Sequence, residues 1–438
     1  MARHAANAPL NVFLNARLVG RLSRETTGAI DFQYDGSWLQ WENAFPVSLS
    51  LTLREDRYVG APVTAVFDNL LPDNDDIRRR LAARTGAKGH DAYSLLAAIG
   101  RDCVGALQFL PQGEEPGPAG TVEGRPIANQ EIAGILHELS AAPLGVSREG
   151  EFRISIAGAQ EKTALLRWKR RWWIPHGSAA TTHIFKPAIG QRGNLDLSLS
   201  VENEHFCMTF AAGLGLPVAR TQIARFGAKP VLIVERFDRR WTADRRLLRL
   251  PQEDFCQALS FPPSRKYESH GGPGIVAILE LLKGSDDPQS DQRMFLKAQI
   301  VFWLLGAIDG HAKNFSVALR PGGRFRLTPL YDIVSVQPNL DAHQLRHNRM
   351  KLAMAVGKNR HYAVATVFPR HFIQTAETAG VAAEVTISIL REVLEQVPSA
   401  LTKAKRSMPQ RFPKKLLESI KEGVLRRLGR VAQSPEIR

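Results

Sequence analysis

The sequence predicts an α+β chain with a β-rich first half and a helical second half. Three observations carry this. Up to about residue 238, short apolar–polar alternations are punctuated by Gly, Pro, Asn and Asp, the pattern of strands and turns. From Leu247 onward the apolar spacing becomes mainly helical. The chain has 438 residues, 44% of them hydrophobic, enough for two or three domains with large cores.

Taken in order, residues 1–110 read as a small mixed subdomain. Val12–Leu14 and Leu18–Leu22 are predicted strands around Asn15-Ala16, and Asp31–Tyr34 and Trp38–Trp41 a second pair around Asp35-Gly36. Helical spacing runs from Val63 to Arg84, broken at Pro72-Asp73-Asn74, and the stretch Phe67–Pro72 reads as structural or as a docking surface. Residues 111–147 begin Gly/Pro/Glu-rich, a linker, with a helix expected over Asn129–Leu139. Residues 148–237 form the next division: a strand at Phe152–Ile156, the small-residue loop Ala157-Gly158-Ala159, and a strand resuming at Thr163. Small side chains let successive N–H groups approach an anion closely, although a generic hairpin turn has the same look. Further strands are expected at Trp172–Ile174 and at His183–Lys186. A helix should open at Ser200 and stop at Gly213–Gly215. Two strands turn at Phe226–Ala228, and the second, Val231–Val234, is apolar on both faces and runs into Glu235-Arg236-Phe237. Residues 238–438 read as a helical division: a helix opening at Pro251, one over Ile275–Leu282, and a buried one over Asp291–Ile308. Phe315–Leu319 and Arg324–Leu327 flank the turn Pro321-Gly322-Gly323, residues 336–349 lack periodicity, and helices are expected over 360–430.

Composition excludes several classes. Cys103, Cys207 and Cys256 form no C-x-x-C, so no disulfide frame or metal knuckle is implied and a reducing compartment is expected. The start of the chain lacks the apolar core of a signal peptide. The longest apolar stretch, Ile300–Ile308, falls far short of the ~20 residues of a membrane span. A cytoplasmic protein with no membrane partner is expected. The net charge of +15 favours an anionic partner, and Lys403–Arg438 holds eleven Lys/Arg against three Glu. That tail fits either a solvated helix face or contact with DNA phosphates through residues such as Lys414, Lys415, Arg426 and Arg427.

Chemistry concentrates where the buried helix ends, at Asp309-Gly310-His311-Ala312-Lys313-Asn314, with Tyr331-Asp332 following across the predicted hairpin. A carboxylate that takes up a hydroxyl proton, an amide oxygen and a second carboxylate suit a site that holds a metal-bound triphosphate. Asp309 is then the base, Asn314 and Asp332 the metal ligands, and Lys186 the lysine on the α/β-phosphates, with Glu204 on the following helix as its candidate ion-pair partner. A lone D-x-x-x-x-N is a weak signal. The order small-residue hairpin, strand lysine, helix glutamate, central strand into a hinge, buried helix, D-x-x-x-x-N, hairpin and Asp is the order of a two-lobed kinase.

Seven segments carry a resemblance: Ser155–Leu166, Thr182–Lys186, Val234–Trp241, Arg249–Asp254, Lys266–Gly274, Asp309–Ser316 and Leu327–Asp332. On them the chain resembles the HipA family, serine/threonine-protein kinase toxins of type II toxin–antitoxin modules, over nearly its whole length. The resemblance implies a protein-kinase-like two-lobed fold, with a mixed β-rich N-lobe, an extra N-terminal subdomain and an all-α C-lobe. It implies ATP and Mg²⁺ as cofactors. The ATP site would comprise Ala157, Gly158, Ala159, Gln160, Glu161 and Lys162; Lys186; Glu235, Arg236 and Phe237; His311, Ala312, Lys313 and Asn314; and Tyr331 and Asp332. Ser155 matches the family's autophosphorylated serine, whose modification would eject the phosphate loop and switch the kinase off. The implied partners are a HipB-type helix-turn-helix antitoxin, operator DNA bound with it in autorepression, and an aminoacyl-tRNA synthetase substrate, chiefly glutamate–tRNA ligase. Modification of that substrate stalls translation and leads to growth arrest and persistence. The chain departs from ordinary protein kinases: it has no G-x-G-x-x-G, His311 stands where they carry Lys, and Tyr331-Asp332-Ile333 replaces Asp-Phe-Gly. Two other readings use the same residues: a small-molecule or lipid kinase, and a non-enzymatic DNA-binding co-repressor.

Overall fold

In the first 34 residues the turn chemistry alone sets the opening hairpin. Asn15 and Ala16 take φ of 46° and 68°, the left-handed pair that matches the twist of flanking strands, and Leu10–Leu14 pairs with Arg17–Arg24 across them. In this computed structural model, which describes residues 8–145, 154–158 and 160–437, the chain forms two compact units. The first takes in the chain up to residue 187 together with 224–264 and 317–324; the second takes in 188–223, 265–316 and the remainder from 325.

The first unit is built mainly on two antiparallel sheets, with a further short hairpin of Arg239–Trp241 and Leu247–Arg249. In one, Tyr58–Val59, Ile30–Tyr34, Arg17–Arg24, Leu10–Leu14 and Leu107–Pro111 are successive neighbours. The expected strand at Trp38–Trp41 is instead the short helix Gly36–Leu39: the Asp35 carboxylate accepts from Ser37 N–H and caps it rather than closing a hairpin. Trp38 is fully buried there, its indole N–H on the Phe45 carbonyl at 3.0 Å. The helices Ala61–Asp68 and Asp75–Thr85 stand on either side of the predicted break, the second capped by Asn74. In the other sheet, Lys229–Glu235, His183–Pro187, Thr163–Trp168, Arg171–Pro175 and Gly124–Ile127 are successive neighbours. The last of these strands comes from the stretch read as linker, and the helix Asn129–Glu138 follows it. Ile127, Ile132, Leu165, Trp172, Phe185, Val231 and Ile233 make the core between sheet and helix. Of the expected strand at Phe152–Ile156, Phe152 and Arg153 lie outside the described residues, and Ile154, Ser155 and Ile156 form no strand and are all buried. Gln252–Asp254 is a strand, not a helix start; the helix is Phe255–Ala258, capped by Asp254 with Gln257 closing a capping box.

The second unit is mainly helical, with two short hairpins, Gly190–Arg192 with Leu195–Leu197 and Lys351–Val356 with His361–Ala363. Its central helix runs Pro288–Leu305. It stops three residues earlier than the apolar run suggests because Gly306 takes φ 65°, and the N–H groups of Gly306 and Ala307 return to Trp303 and Phe302. The stretch 336–349 is ordered by the helix Gln337–Asp341 and a 3₁₀ turn at His347–Arg349. The helices Pro369–Thr378, Ala383–Ser407 and Lys414–Ala432 complete the unit. Arg427 is not the exposed phosphate contact suggested by the charge count. It is buried, its Nε on the Leu304 carbonyl and its Nη1 on Gln337 Oε1, each at 2.8 Å. Among the described residues no helix is long and apolar enough to cross a membrane.

Candidate active site

The predicted site residues fall into two groups, one in each unit. In the second unit, the positive-φ stop at Gly306 ends the buried helix just before the loop Ile308–Ser316. The loop is folded on itself: His311 N–H donates to the Asp309 carbonyl at 2.8 Å and Asn314 N–H to the His311 carbonyl at 2.9 Å. His311, Ala312, Lys313 and Asn314 are buried, whereas the Asp309 side chain is 61% exposed. A base that must meet an incoming hydroxyl needs that access. Asn314 Nδ2 donates to the Asp309 carbonyl at 2.9 Å. This bond occupies the nitrogen end of the amide and assigns the oxygen end to other partners, as an oxygen ligand of a hard cation requires.

Tyr331 pins the same loop. Its hydroxyl donates to the Lys313 carbonyl at 2.9 Å and accepts from Ser316 Oγ at 2.6 Å. Thr328 N–H reaches the Ser316 carbonyl at 2.9 Å, and Leu330 N–H the Pro217 carbonyl at 2.8 Å, so 328–331 is tied down on both sides. Asp332 follows at φ 61°, a left-handed conformation that a non-glycine residue holds at a cost on the order of 1 kcal/mol and that concentrates at functional sites. Just beyond, Asn203 and Ser335 exchange a reciprocal pair of bonds at 2.8 and 2.9 Å. Asp332 is thus fixed between two anchored points. Two oxygen donors fit Mg²⁺, which keeps waters and phosphate oxygens for its remaining positions.

In the first unit, Lys162 closes the small-residue turn. Its buried ammonium donates to the Ala157 carbonyl at 2.5 Å, over Gly158 at φ 109°. Gln160 Nε2 donates to the Pro187 carbonyl at 2.9 Å, which joins the turn to the end of the strand carrying buried Lys186. Lys186 sits opposite Leu232, and Glu235 opposite His183, in the sheet register. Glu161 is turned aside toward Arg80 at 3.4 Å. Ala159 lies outside the described residues. Of the hinge residues, Glu235 is exposed, while Arg236 is buried and its N–H donates to the Thr182 carbonyl at 2.9 Å. The Arg236 guanidinium is committed to Asp238 at 2.8 Å, Asp102 at 3.3 Å and the Cys103 carbonyl at 2.7 Å. Arg239 and Arg249 also bind Asp102, whose carboxyl is held far below the usual range despite full burial. Glu204, the candidate partner of Lys186, is a buried residue of the helix Ser200–Gly213 in the second unit.

Two relationships escaped the sequence reading. The Leu70–Asp73 backbone holds the small-residue segment: Ser155 Oγ donates to the Leu70 carbonyl at 2.7 Å, and Asp73 N–H to the Gly158 carbonyl at 3.3 Å. Ser155 N–H also reaches the Asp102 carbonyl at 3.0 Å, so this serine is fully buried. Pro72-Asp73-Asn74 reads locally as a helix break and gives no hint of a distant partner. The second is Tyr267, whose hydroxyl donates to Asp309 Oδ1.

Comparison with known proteins adds a family. The HipA-like C-terminal domain matches residues 154–401 and the HipA N-terminal domain residues 10–110. This chain belongs to the HipA family. It is 37% identical over 353 residues to a putative kinase of Sinorhizobium fredii, Y4mE, covering 80% of this chain and 81% of that one. It is 28% identical over 418 residues to the serine/threonine-protein kinase toxin HipA of Shewanella oneidensis, covering 92% and 91%. The solved structure of Shewanella oneidensis HipA with HipB and operator DNA matches with a TM-score of 0.81 at 26% identity, over 97% of this chain and 98% of that one. The α+β, protein-kinase-like fold expected of the family is therefore this chain's fold.

Proposed function

We propose that this HipA-family chain is an ATP-dependent serine/threonine-protein kinase and the toxin of a type II toxin–antitoxin module. The observation that carries the reading is the loop at 309–314, in which a solvent-reaching Asp309 carboxylate stands beside an asparagine whose nitrogen end is tied back to the Asp309 carbonyl. The names of the similar proteins support it. In this reading the acceptor hydroxyl gives its proton to Asp309 as its oxygen bonds to the γ-phosphorus, and the bond to the ADP oxygen breaks. Lys186 steadies the α/β-phosphates, the main chain of Glu235–Phe237 meets the adenine edge, and Asn314 and Asp332 hold Mg²⁺. When bound, Mg²⁺ supplies the charge neutralisation that phosphoryl transfer needs.

The acceptor is a serine of an aminoacyl-tRNA synthetase, glutamate–tRNA ligase in the first instance, and its modification stops translation. A HipB-type antitoxin and operator DNA are the partners, by analogy with the Shewanella complex. Ser155 is the self-modification site. Its hydroxyl is locked on Leu70, so a phosphate there is incompatible with the packed segment and would displace it. The test is Asp309→Asn with [γ-³²P]ATP and glutamate–tRNA ligase. Transfer and growth arrest should both vanish, whereas wild-type labelling by the variant overturns the assignment.

A further inference from the structure

We propose that Tyr267 is a positioning residue for Asp309, fixing the carboxylate that takes up the acceptor proton. The proposal rests on the reading of Asp309 as the base. The Tyr267 hydroxyl donates to Asp309 Oδ1, so the phenol fixes one oxygen of the carboxylate and with it the direction in which the group points.

The phenol is built in rather than passing by. Its ring stands edge-on to His311, with centroids 4.9 Å apart at 83°, and against His270 at 5.5 Å and 68°. The carbonyl before it, that of Lys266, accepts from Ala312 N–H at 3.2 Å, which ties the tyrosine's own backbone to the catalytic loop. The Tyr267 carbonyl accepts from His270 at 3.0 Å and Gly272 at 3.1 Å. A Cβ at Gly272 would lie 1.7 Å from the Arg265 carbonyl oxygen, so this turn has room for glycine alone. Behind the ring, Glu268 accepts from Ala355 N–H at 2.6 Å and pairs with Arg360 at 3.1 Å. A segment held at so many points does not swing aside as a latch would.

The consequence is geometric: a carboxylate that is 61% exposed would otherwise sample several rotamers, and the phenol favours one. His311 Nε2 lies 3.9 Å from the same Oδ1.

The experiment compares wild type, Tyr267→Phe, His311→Gln, the double variant and Asp309→Asn as full-length chains. It follows transfer from [γ-³²P]ATP to glutamate–tRNA ligase and into the chain itself. Tyr267→Phe should lower the maximal rate by about 10- to 100-fold, leave half-saturating ATP within about twofold, and leave the melting temperature in place. The same loss of rate at unchanged half-saturating ATP should persist in the His311→Gln background, which assigns it to the phenol rather than to the imidazole beside it. A full maximal rate in Tyr267→Phe overturns the role of Tyr267 while a dead Asp309→Asn keeps the base. A faster Tyr267→Phe overturns it too, since the phenol would then be blocking the acceptor. An active Asp309→Asn, or a wild type that labels nothing, overturns the underlying reading itself.

Discussion

Gly158 leaves the space that Lys162 fills: a Cβ at position 158 would lie 2.6 Å from Lys162 Nζ. The backbone there, at φ 109°, is also one that side chains rarely adopt. Gly158→Ala should therefore push the ammonium off the Ala157 carbonyl and reshape the turn. If that turn cradles phosphate, ATP affinity should fall about tenfold, the equivalent of ~1.4 kcal/mol, with a much smaller change in maximal rate at saturating ATP. Titration calorimetry with ATP and Mg²⁺ reads this directly. Unchanged affinity would remove residues 157–162 from the nucleotide site.

Glu253 makes one part of the first unit's stability depend on pH. Its side chain is almost fully buried, Oε1 accepts from Leu49 N–H at 2.7 Å, and Oε2 has no partner. Burial pushes the carboxyl from an ordinary 4.5 up to about 8, against the bonds from Ser48 and Leu49. Between those values the folded chain keeps a proton that the unfolded chain has released. Stability from this group is thus complete below the unfolded value, declines as pH rises through the window, and levels off above the folded value. From pH 6 to 8 the loss should be about 2 kcal/mol. Urea midpoints at the two pH values should separate for wild type and stay together for Glu253→Gln, whose neutral amide keeps an oxygen for Leu49. Equal slopes in both proteins would show that Glu253 is ionised in the folded state.

The periodic parts of this fold were legible in the sequence because burial and backbone geometry speak through adjacent residues. The strand end at Lys186, the buried pair of faces at Val231–Val234 and the helix before Asp309 follow from local pattern alone. Errors arose where a polar side chain redirected the backbone: Asp35 and Asp254 cap helices, and neither cap changes the apolar spacing around it. Asp309 and Asn314 stood out through their spacing, and their link through Nδ2 is a bond within one loop. Tyr267 lies 42 residues from Asp309, and Leu70 lies 85 residues from Ser155. Contacts across such intervals leave no period in a single sequence. The motif around Tyr267 was visible as a motif, but its hydrogen bond to Asp309 needed the fold.

Charge counting misassigned Arg427, and the correction separates stability from DNA contact. The side chain is 6% exposed on the inner face of the helix Lys414–Ala432. It bonds Leu304 and Gln337, and Gln337 in turn donates to Asp341 at 2.7 Å. The same helix face needs Gly423, where a Cβ would meet Gln337 Oε1 at 2.6 Å. Burial, with Arg426 and Arg430 nearby, pulls the Arg427 guanidinium down to about 9, still charged at neutral pH. Arg427→Ala removes a buried charge whose partners stay behind, the Leu304 carbonyl and the Gln337 amide oxygen. It should destabilise the second unit by about 2–4 kcal/mol. If the chain binds operator DNA with an antitoxin as proposed, that complex should keep the wild-type dependence on salt. Exposed Lys414, Lys415 and Arg426 are the opposite case: their triple alanine variant should melt as wild type does. If that face meets phosphates, each contact removed flattens the salt slope by roughly 0.9. A full-strength fold in Arg427→Ala together with a flattened slope would place its guanidinium on DNA, contrary to its burial beneath the helix.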